Sequence, residues 1–250
     1  VTIGEASEVT GAAPLTPDAQ RFSLELRQTI RAGGDWCGVL MTEISRVLYE
    51  GGEWCSNVKA QTLATLIVGL RPALVCEVGV WLGGSMIPML LALRAVEEIE
   101  IATRGSADRH RAVAIDAWSA EASCAGQTPA NAAWWSAQSH DGAHDAFLAR
   151  LARHDLARIC QVVRAPSDAA TVPAAIGILH LDGNHGEQAV RDVERFGSQV
   201  EIGGILVLDD LDWSGGHVVR ARDRATQMGF QSLFPLGTGV VLQRVSRSAI

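Results

Sequence analysis

Apolar and polar positions change period several times along this chain. From Pro17 to about Tyr49, Phe22, Leu24, Ile30, Leu40 and Ile44 supply a helical stripe that Gly33–Gly34 interrupts, which predicts a helical cap in two pieces. Leu63, Leu66, Ile67 and Leu70 share one helical face, and Arg71–Pro72 ends that helix, because a residue preceding proline is pushed out of the helical region. The apolar run 73–80 then reads as a buried strand. Beyond it, helical and apolar stretches alternate: helix 85–97, strand 111–117, helix 141–154, strands 158–164 and 176–182, helix 187–196, strand 204–209 and helix 217–228. That order predicts an α/β, Rossmann-like, mostly parallel sheet with helices on both faces. Runs 230–236 and 239–245, parted by Gly237–Thr238, predict a closing hairpin. Residues 119–140 have no clean period and carry the adjacent Trp134–Trp135, so they read as an insertion near a ligand crevice.

Composition narrows the class. At 250 residues with 48% hydrophobic content, the chain can bury one full core. We expect a loose tail and helical cap over residues 1–55 and a single catalytic unit over 56–250. A net charge of −7 with scattered arginines supplies no basic stripe, which excludes nucleic acid as a partner. The longest apolar runs fall well short of the ~20 residues a membrane span requires, and no basic-then-apolar leader precedes them. A soluble, cytoplasmic protein without membrane contact is expected. Cys37, Cys55, Cys76, Cys124 and Cys160 form no CxxC pair, which disfavours zinc fingers and disulfide frameworks.

The chemistry-bearing residues fall at strand ends. In the run Cys76 to Ser85, Glu77 and Val78 close a strand, Gly79, Gly83 and Gly84 make a turn, and Ser85 stands at a helix start as an N-cap residue would. In an open parallel sheet that turn lies at the crevice where ligands bind. The spacing is GxxxG, not GxGxxG, which counts against NAD and FAD. Asp116 ends the next strand and suits a ribose, although an aspartate there also caps turns. Ser167 and Asp168 follow the third strand, where an adenine edge would be read or an ordinary loop would begin.

Asp182 and the pair Asp209–Asp210 end two later strands. If those strands are neighbours, three carboxylates converge, and a hard divalent cation such as Mg²⁺ is the usual resolution of their repulsion. Capping of helices and pairing with basic side chains is the plainer alternative. His185, three residues after Asp182, is the candidate general base, since a neutral imidazole accepts a hydroxyl proton near neutrality. His180 lies inside a strand and reads as a sheet-face residue. Trp118, Trp134, Trp135 and Trp213 stand near the expected rim, as ring-stacking or as packing residues. His140, His144 and His217 border the same loops.

Taken together, the run Glu77 to Ser85, the DxxH of Asp182 to His185 and the pair Asp209–Asp210 resemble the metal-dependent class I methyltransferases that use S-adenosylmethionine (SAM). Within these the sequence is most similar to the macrocin and mycinamicin sugar O-methyltransferases, with catechol O-methyltransferase more distant. The resemblance spans about residues 56–245. It implies a seven-stranded sheet with its last strand antiparallel. It also implies SAM held by Glu77 and Gly79 at its methionine portion, Ser85 at its carboxylate, Asp116 at its ribose, and Ser167 and Asp168 at its adenine. Asp182, Asp209 and Asp210 are the implied ligands of a divalent metal, Mg²⁺ by default, and His185 is the implied base. Part of the sugar group has an aspartate as base where this chain has Asn184. The implied reaction is methyl transfer to a hydroxyl of a small-molecule acceptor, a sugar or polyhydroxy natural product first and a catechol-like phenol second. A catalytically silent SAM-binding scaffold, with the N-terminal helices forming a homo-oligomer interface, is the competing class. A nicotinamide oxidoreductase or an iron hydroxylase lacks its motif here.

Overall fold

The computed structural model describes residues 16–51 and 54–247, so most of the expected loose tail lies outside the described residues. Three helices come first: α1 (Pro17–Arg31), α2 (Trp36–Tyr49) and α3 (Asn57–Leu70). Thr16, Asp35 and Ser56 cap them, each side chain accepting a backbone N–H three residues on, which satisfies donors that a helix start leaves open. The alternation follows: β1 (Leu74–Val78), α4 (Met86–Arg104), β2 (Arg111–Asp116), α5 (Ala120–Cys124), α6 (Pro129–Ser136), α7 (His140–Arg153), β3 (Cys160–Arg164), β4 (Ile176–Leu181) and α8 (Glu187–Gly197). The chain closes with β5 (Val200–Leu208), α9 (His217–Gln227), β6 (Phe230–Leu236) and β7 (Gly239–Arg244).

The strands form one sheet in the order β3-β2-β1-β4-β5-β7-β6. All pairings from β3 to β5 are parallel, and β7 runs antiparallel to both β5 and β6. The order reverses between β1 and β4, so the carboxyl ends of β1, β2, β4 and β5 open onto one crevice. Apolar side chains cover both faces. Val75, Ile178, Ile205 and Val207 pack with α1 to α4, whereas Cys76, Leu179, Leu206 and Leu208 pack with Val193 and Phe196 of α8 and Ala221 and Ala225 of α9. Two-sided burial explains why these strands are continuous apolar runs.

Several boundaries differ from the sequence reading. α4 continues past residue 97 to Arg104 and stops at Gly105, whose φ is 79°. Its Glu98 and Glu100 do not end the helix, because Glu98 pairs with Arg27 and Glu100 with Arg104 and His110. β5 begins at Val200, ahead of Gly203 and Gly204, and a register shift against β4 absorbs the irregularity. The insertion contains α5 and α6, neither of which has a buried residue. Among the described residues, no helix is long and apolar enough to cross a membrane.

Two arginines, Arg150 half-buried and Arg244 buried, tie the layers by collecting carbonyls. Arg150 of α7 donates to Val47, Gly51 and Leu82 at 2.9, 3.2 and 2.8 Å. Arg244 likewise serves Gly197, Ser198 and Val200.

Candidate functional site

A cavity of about 1170 Å³ opens at the carboxyl ends of the strands. It is lined from the β1 turn by Gly79 and Ser85, from β2 by Asp116, from the loop after β3 by Ser167 and Asp168, and from the β4 and β5 ends by Asp182, His185, Asp209 and Asp210. Glu77 is absent from that lining.

The β1 turn is built by close backbone approach. Gly79 has φ of 87°, and a Cβ there would lie 2.2 Å from the Asp182 carbonyl oxygen. Only glycine combines that conformation with that contact. Asp116 holds the turn from the other side: Oδ2 accepts the N–H of Val80 and of Trp81, both at 2.9 Å, and Oδ1 accepts the N–H of Trp118 at 2.7 Å. Burial pushes its carboxyl up, against the three N–H donors that favour the charged form. With about four acceptor positions on a carboxylate, roughly one remains for a ribose hydroxyl.

Ser85 stands at the start of α4 as expected, but its hydroxyl donates to Glu77 Oε1 and makes no cap. Glu77 is fully buried and also shares a 2.6 Å hydrogen bond with His180 Nδ1. Complete burial holds its carboxyl above the usual range. Glu77 thus stands behind the cavity lining and braces Ser85 and His180. Only Oε1 is engaged, and Oε2 is buried without a hydrogen-bond partner. With the Ser85 side chain turned away, the Met86 N–H at the opening of α4 keeps a place for an anion, whereas the Ile87 N–H donates to the Gly83 carbonyl and Pro88 has none. The Gly79 turn and the cavity volume fit SAM.

Ser167 and Asp168 both accept from Gln188 Nε2, at 2.9 and 2.8 Å, and so does Asp192 at 2.8 Å. Burial pushes the Asp192 carboxyl up to about 6. The sequence reading missed Gln188 and Asp192, although their i,i+4 spacing at the start of α8 aims both at one side.

At the opposite rim, β4 and β5 are neighbours in register, Leu181 opposite Leu208, which brings Asp182 and Asp209 side by side. The expected trio of metal ligands does not form one open site. Lys59, in the first turn of α3, donates to Asp182 Oδ2 at 3.1 Å and to Asp209 Oδ2. Asp209 Oδ1 accepts the N–H of Asp210 at 3.0 Å and the hydroxyl of Thr238 at 3.4 Å. Both Asp209 oxygens are therefore engaged, and an ammonium sits where a divalent ion bridging Asp182 and Asp209 would sit. The three-aspartate set, as expected from the sequence, does not fit a metal.

Two other groupings bring ligand atoms within 4.8 Å of one another: His180 with Asp182 and Asp209, which Lys59 fills, and Asp182 with His185 and Asp210. His185 Nε2 lies 3.3 Å from Asp210 Oδ2 and 3.8 Å from Asp182 Oδ1, buried and without a hydrogen bond. Its ring rests on Trp213, centroids 4.6 Å apart. Burial works to raise the Asp182 carboxyl, yet His185, Lys59 and His180 together hold it well below the usual carboxylate range. Asp210 goes the other way, pushed up by burial. Burial opposes the Lys59 ammonium, and Asp182 and Asp209 outweigh it, keeping the lysine charged far above neutrality.

Tryptophans cover the mouth. Trp54 stacks on Trp81 with centroids 5.7 Å apart, and Trp134 and Trp135 of α6 close on the same pair. Trp134, Trp135 and Trp213 line the cavity as the sequence suggested, joined by Trp54 and Trp81. Trp118 does not: it is buried against Phe147 and His144 and donates to the Trp81 carbonyl. His217 lines the cavity, and His140 packs against Trp81 and Trp135. Asn184 donates to the carbonyls of Ala122 and Ala125, fastening the α5–α6 insertion to the β4 loop.

Lys59 carried a signal in the sequence. It lies four residues before Leu63 and eight before Ile67, on the stripe that α3 buries, where a lone lysine has to find an anion.

Comparison with known proteins agrees with this geometry. The sequence profile described as a methyltransferase domain matches residues 76–211, from the β1 turn through the β5 rim. No curated protein sequence matches the chain. Solved structures share the fold at low identity. The O-methyltransferase TomG from Streptomyces achromogenes, in complex with SAM, has a TM-score of 0.53 at 16% identity, over 83% of this chain and 89% of that one. An O-methyltransferase from Bacillus cereus, in complex with SAH, has a TM-score of 0.53 at 13% identity, over 83% and 90%. The SAH-bound methyltransferase PaMTH1 from Podospora anserina has a TM-score of 0.54 at 12% identity, over 95% and 100%. With the profile matched across more than half of its length, this chain belongs to the methyltransferase domain family.

Proposed function

We propose that this methyltransferase moves the methyl group of SAM to a hydroxyl oxygen of a small polyhydroxy molecule, a sugar or sugar-bearing natural product, with His185 as general base. The observation that carries the reading is His185 Nε2: buried, unpaired, 3.3 Å from Asp210 and in the cavity that the Gly79 turn also lines. An imidazole nitrogen without a partner in such a place is available to a substrate proton.

When bound, SAM supplies an electrophilic sulfonium methyl. The protein's residues do the rest. His185 accepts the acceptor's hydroxyl proton, and Asp182 and Asp210 stabilise the imidazolium that results. The oxygen forms its bond to the methyl carbon as the carbon–sulfur bond breaks, so the sulfonium charge is cancelled. Trp213 fixes the imidazole plane, and Trp54, Trp134 and Trp135 offer flat apolar faces to a ring while limiting water. Holding the two reactants in line contributes up to ~7–11 kcal/mol. The asparagines and glutamines around them, Gln127, Asn131 and Asn184, suit an acceptor with several hydroxyls.

Metal assistance is the second reading, favoured by the grouping of Asp182, His185 and Asp210 around that same unpaired nitrogen. A mixed nitrogen and oxygen set suits Mn²⁺ or Fe²⁺ better than Mg²⁺. In that reading His185 is a ligand and cannot be the base.

Calorimetric titration with SAM, followed by methylation of a panel of sugars, glycosides and catechols, tests the proposal. We expect His185→Ala to leave SAM affinity intact and to lower kcat by roughly 10²–10⁴-fold. Unchanged turnover at neutral pH would remove His185 from the role, and methylation of the catechols alone would replace the acceptor class.

A further inference from the structure

We infer that Lys59 is a built-in cation standing where a divalent ion would bridge Asp182 and Asp209, so that this pair of carboxylates is held together without a metal. The inference rests on reading the site as a methyl-transfer centre and adds how that centre is held together.

Three observations meet at this one nitrogen. First, its placement is that of a bridging cation: Nζ is 3.1 Å from Asp182 Oδ2 and hydrogen-bonded to Asp209 Oδ2. His180 Nε2, fully buried and without a partner, lies 4.0 and 3.9 Å from the same two oxygens. A second cation entering there would meet the ammonium at a few ångströms, where repulsion in a poorly solvated site is strong.

Second, the lysine is delivered by rigid backbone. Ser56 caps α3 by accepting the Lys59 N–H at 3.1 Å, and the following Ala60, Leu63, Ala64 and Ile67 are fully buried. The Lys59 side chain is 11% exposed. Swinging it out to admit an ion would take the cation from buried Asp209 and half-buried Asp182, which is costly because a poorly solvated charge is left uncompensated.

Third, the carboxylates are positioned by what surrounds the lysine. Asp209 is locked by the Asp210 N–H, the Thr238 hydroxyl and Lys59, and Asp182 is held between Lys59 and the His185 side. Lys59 therefore fixes the carboxylate that flanks His185, and it acts on the proton transfer through Asp182. That makes it a positioning residue. A divalent ion would do this by coordination, whereas this chain does it with a side chain of its own.

The test is Mn²⁺ binding followed by electron paramagnetic resonance, with SAM affinity by calorimetry and turnover in parallel. For the His185→Ala protein, in which the grouping of Asp182, His185 and Asp210 is removed, we expect only the free-ion Mn²⁺ signal at millimolar Mn²⁺. Lys59→Met should lose roughly 10²-fold in kcat, the scale that misplacing a reacting group carries, and should gain a bound-Mn²⁺ signal. Lys59→Arg should restore part of kcat without gaining Mn²⁺, which a role in packing alone would not produce. Stoichiometric Mn²⁺ binding by the His185→Ala protein, which keeps Lys59, Asp182 and Asp209, would overturn the inference. So would a Lys59→Met protein that keeps full kcat. These readouts are separate from the parent proposal, because failure to bind SAM would remove the methyl-transfer reading while the Mn²⁺ spectra would still report on Lys59.

Discussion

At the end of β2, Asp116 is satisfied by three backbone N–H groups, whereas at the ends of β4 and β5, Asp182 and Asp209 share the side chain of Lys59, to which Asp209 adds the Asp210 N–H and the Thr238 hydroxyl. The two regions line one cavity and bury the same chemical group, yet their partners differ in kind. Backbone donors fix the shape of a loop, and substitution elsewhere hardly alters them. A side-chain partner can be replaced in a single step, so the charge and geometry of the β4–β5 rim are open to adjustment in a way that the β1–β2 turn is not.

Gly79 is where the two regions touch, and changing it should have the largest effect. In Gly79→Ala the new Cβ meets the Asp182 backbone at 2.2 Å with φ at 87°, and no flexible side chain can give way. We expect a loss of about 3 kcal/mol or more in thermal unfolding, with SAM binding lost in calorimetry. A variant with the parent's melting temperature and affinity would show that turn and rim are not in contact.

Asp116→Ala separates the regions. It leaves three N–H groups without their acceptor, at about 2–3 kcal/mol of stability. KM for SAM should rise several-fold while kcat at saturation changes far less than in His185→Ala. Steady-state kinetics that show the reverse pattern would place Asp116 with the reacting groups.

Asp192 gives the smallest effect, and a pH-dependent one. Its folded pKa of about 6 lies above the ordinary 3.8, so the folded state holds the proton more tightly. The group's favourable contribution is complete below about pH 4 and is lost as pH rises through 6. Asp192→Asn removes that loss. We expect about 1–3 kcal/mol of added stability at pH 8 and almost none at pH 4, read from melting temperature against pH.

The parts legible in the sequence are those in which one residue type and one position carry the meaning. Apolar runs ending in Asp116, Asp182 and Asp209 located the sheet edge, and glycine spacing located the turn, because parallel strands buried on both faces leave few other patterns. Partnerships across the fold were not legible. Lys59 lies 123 residues from Asp182, and no local pattern reports such a pair. Glu77 occupied the right place in its motif but turned inward to Ser85 and His180, since strand alternation says which face a side chain takes and not which polar neighbour waits there. Trp118 and Trp81 exchanged roles for a similar reason: both carry positive φ, at 39° and 48°, and periodicity does not encode that.

Arg150 has a consequence for how this protein can be rebuilt. One guanidinium joins the end of α2, the segment after it and the Leu82 carbonyl of the cofactor turn, and Phe22, Leu26, Leu40 and Ile44 share the apolar cluster of α4. The first two helices are therefore not an interchangeable module. A chimera that grafts another protein's N-terminal helices onto this sheet would have to carry matching pieces of α4 and α7 as well, so the unit of exchange is the whole layer and not the stretch of chain that precedes β1.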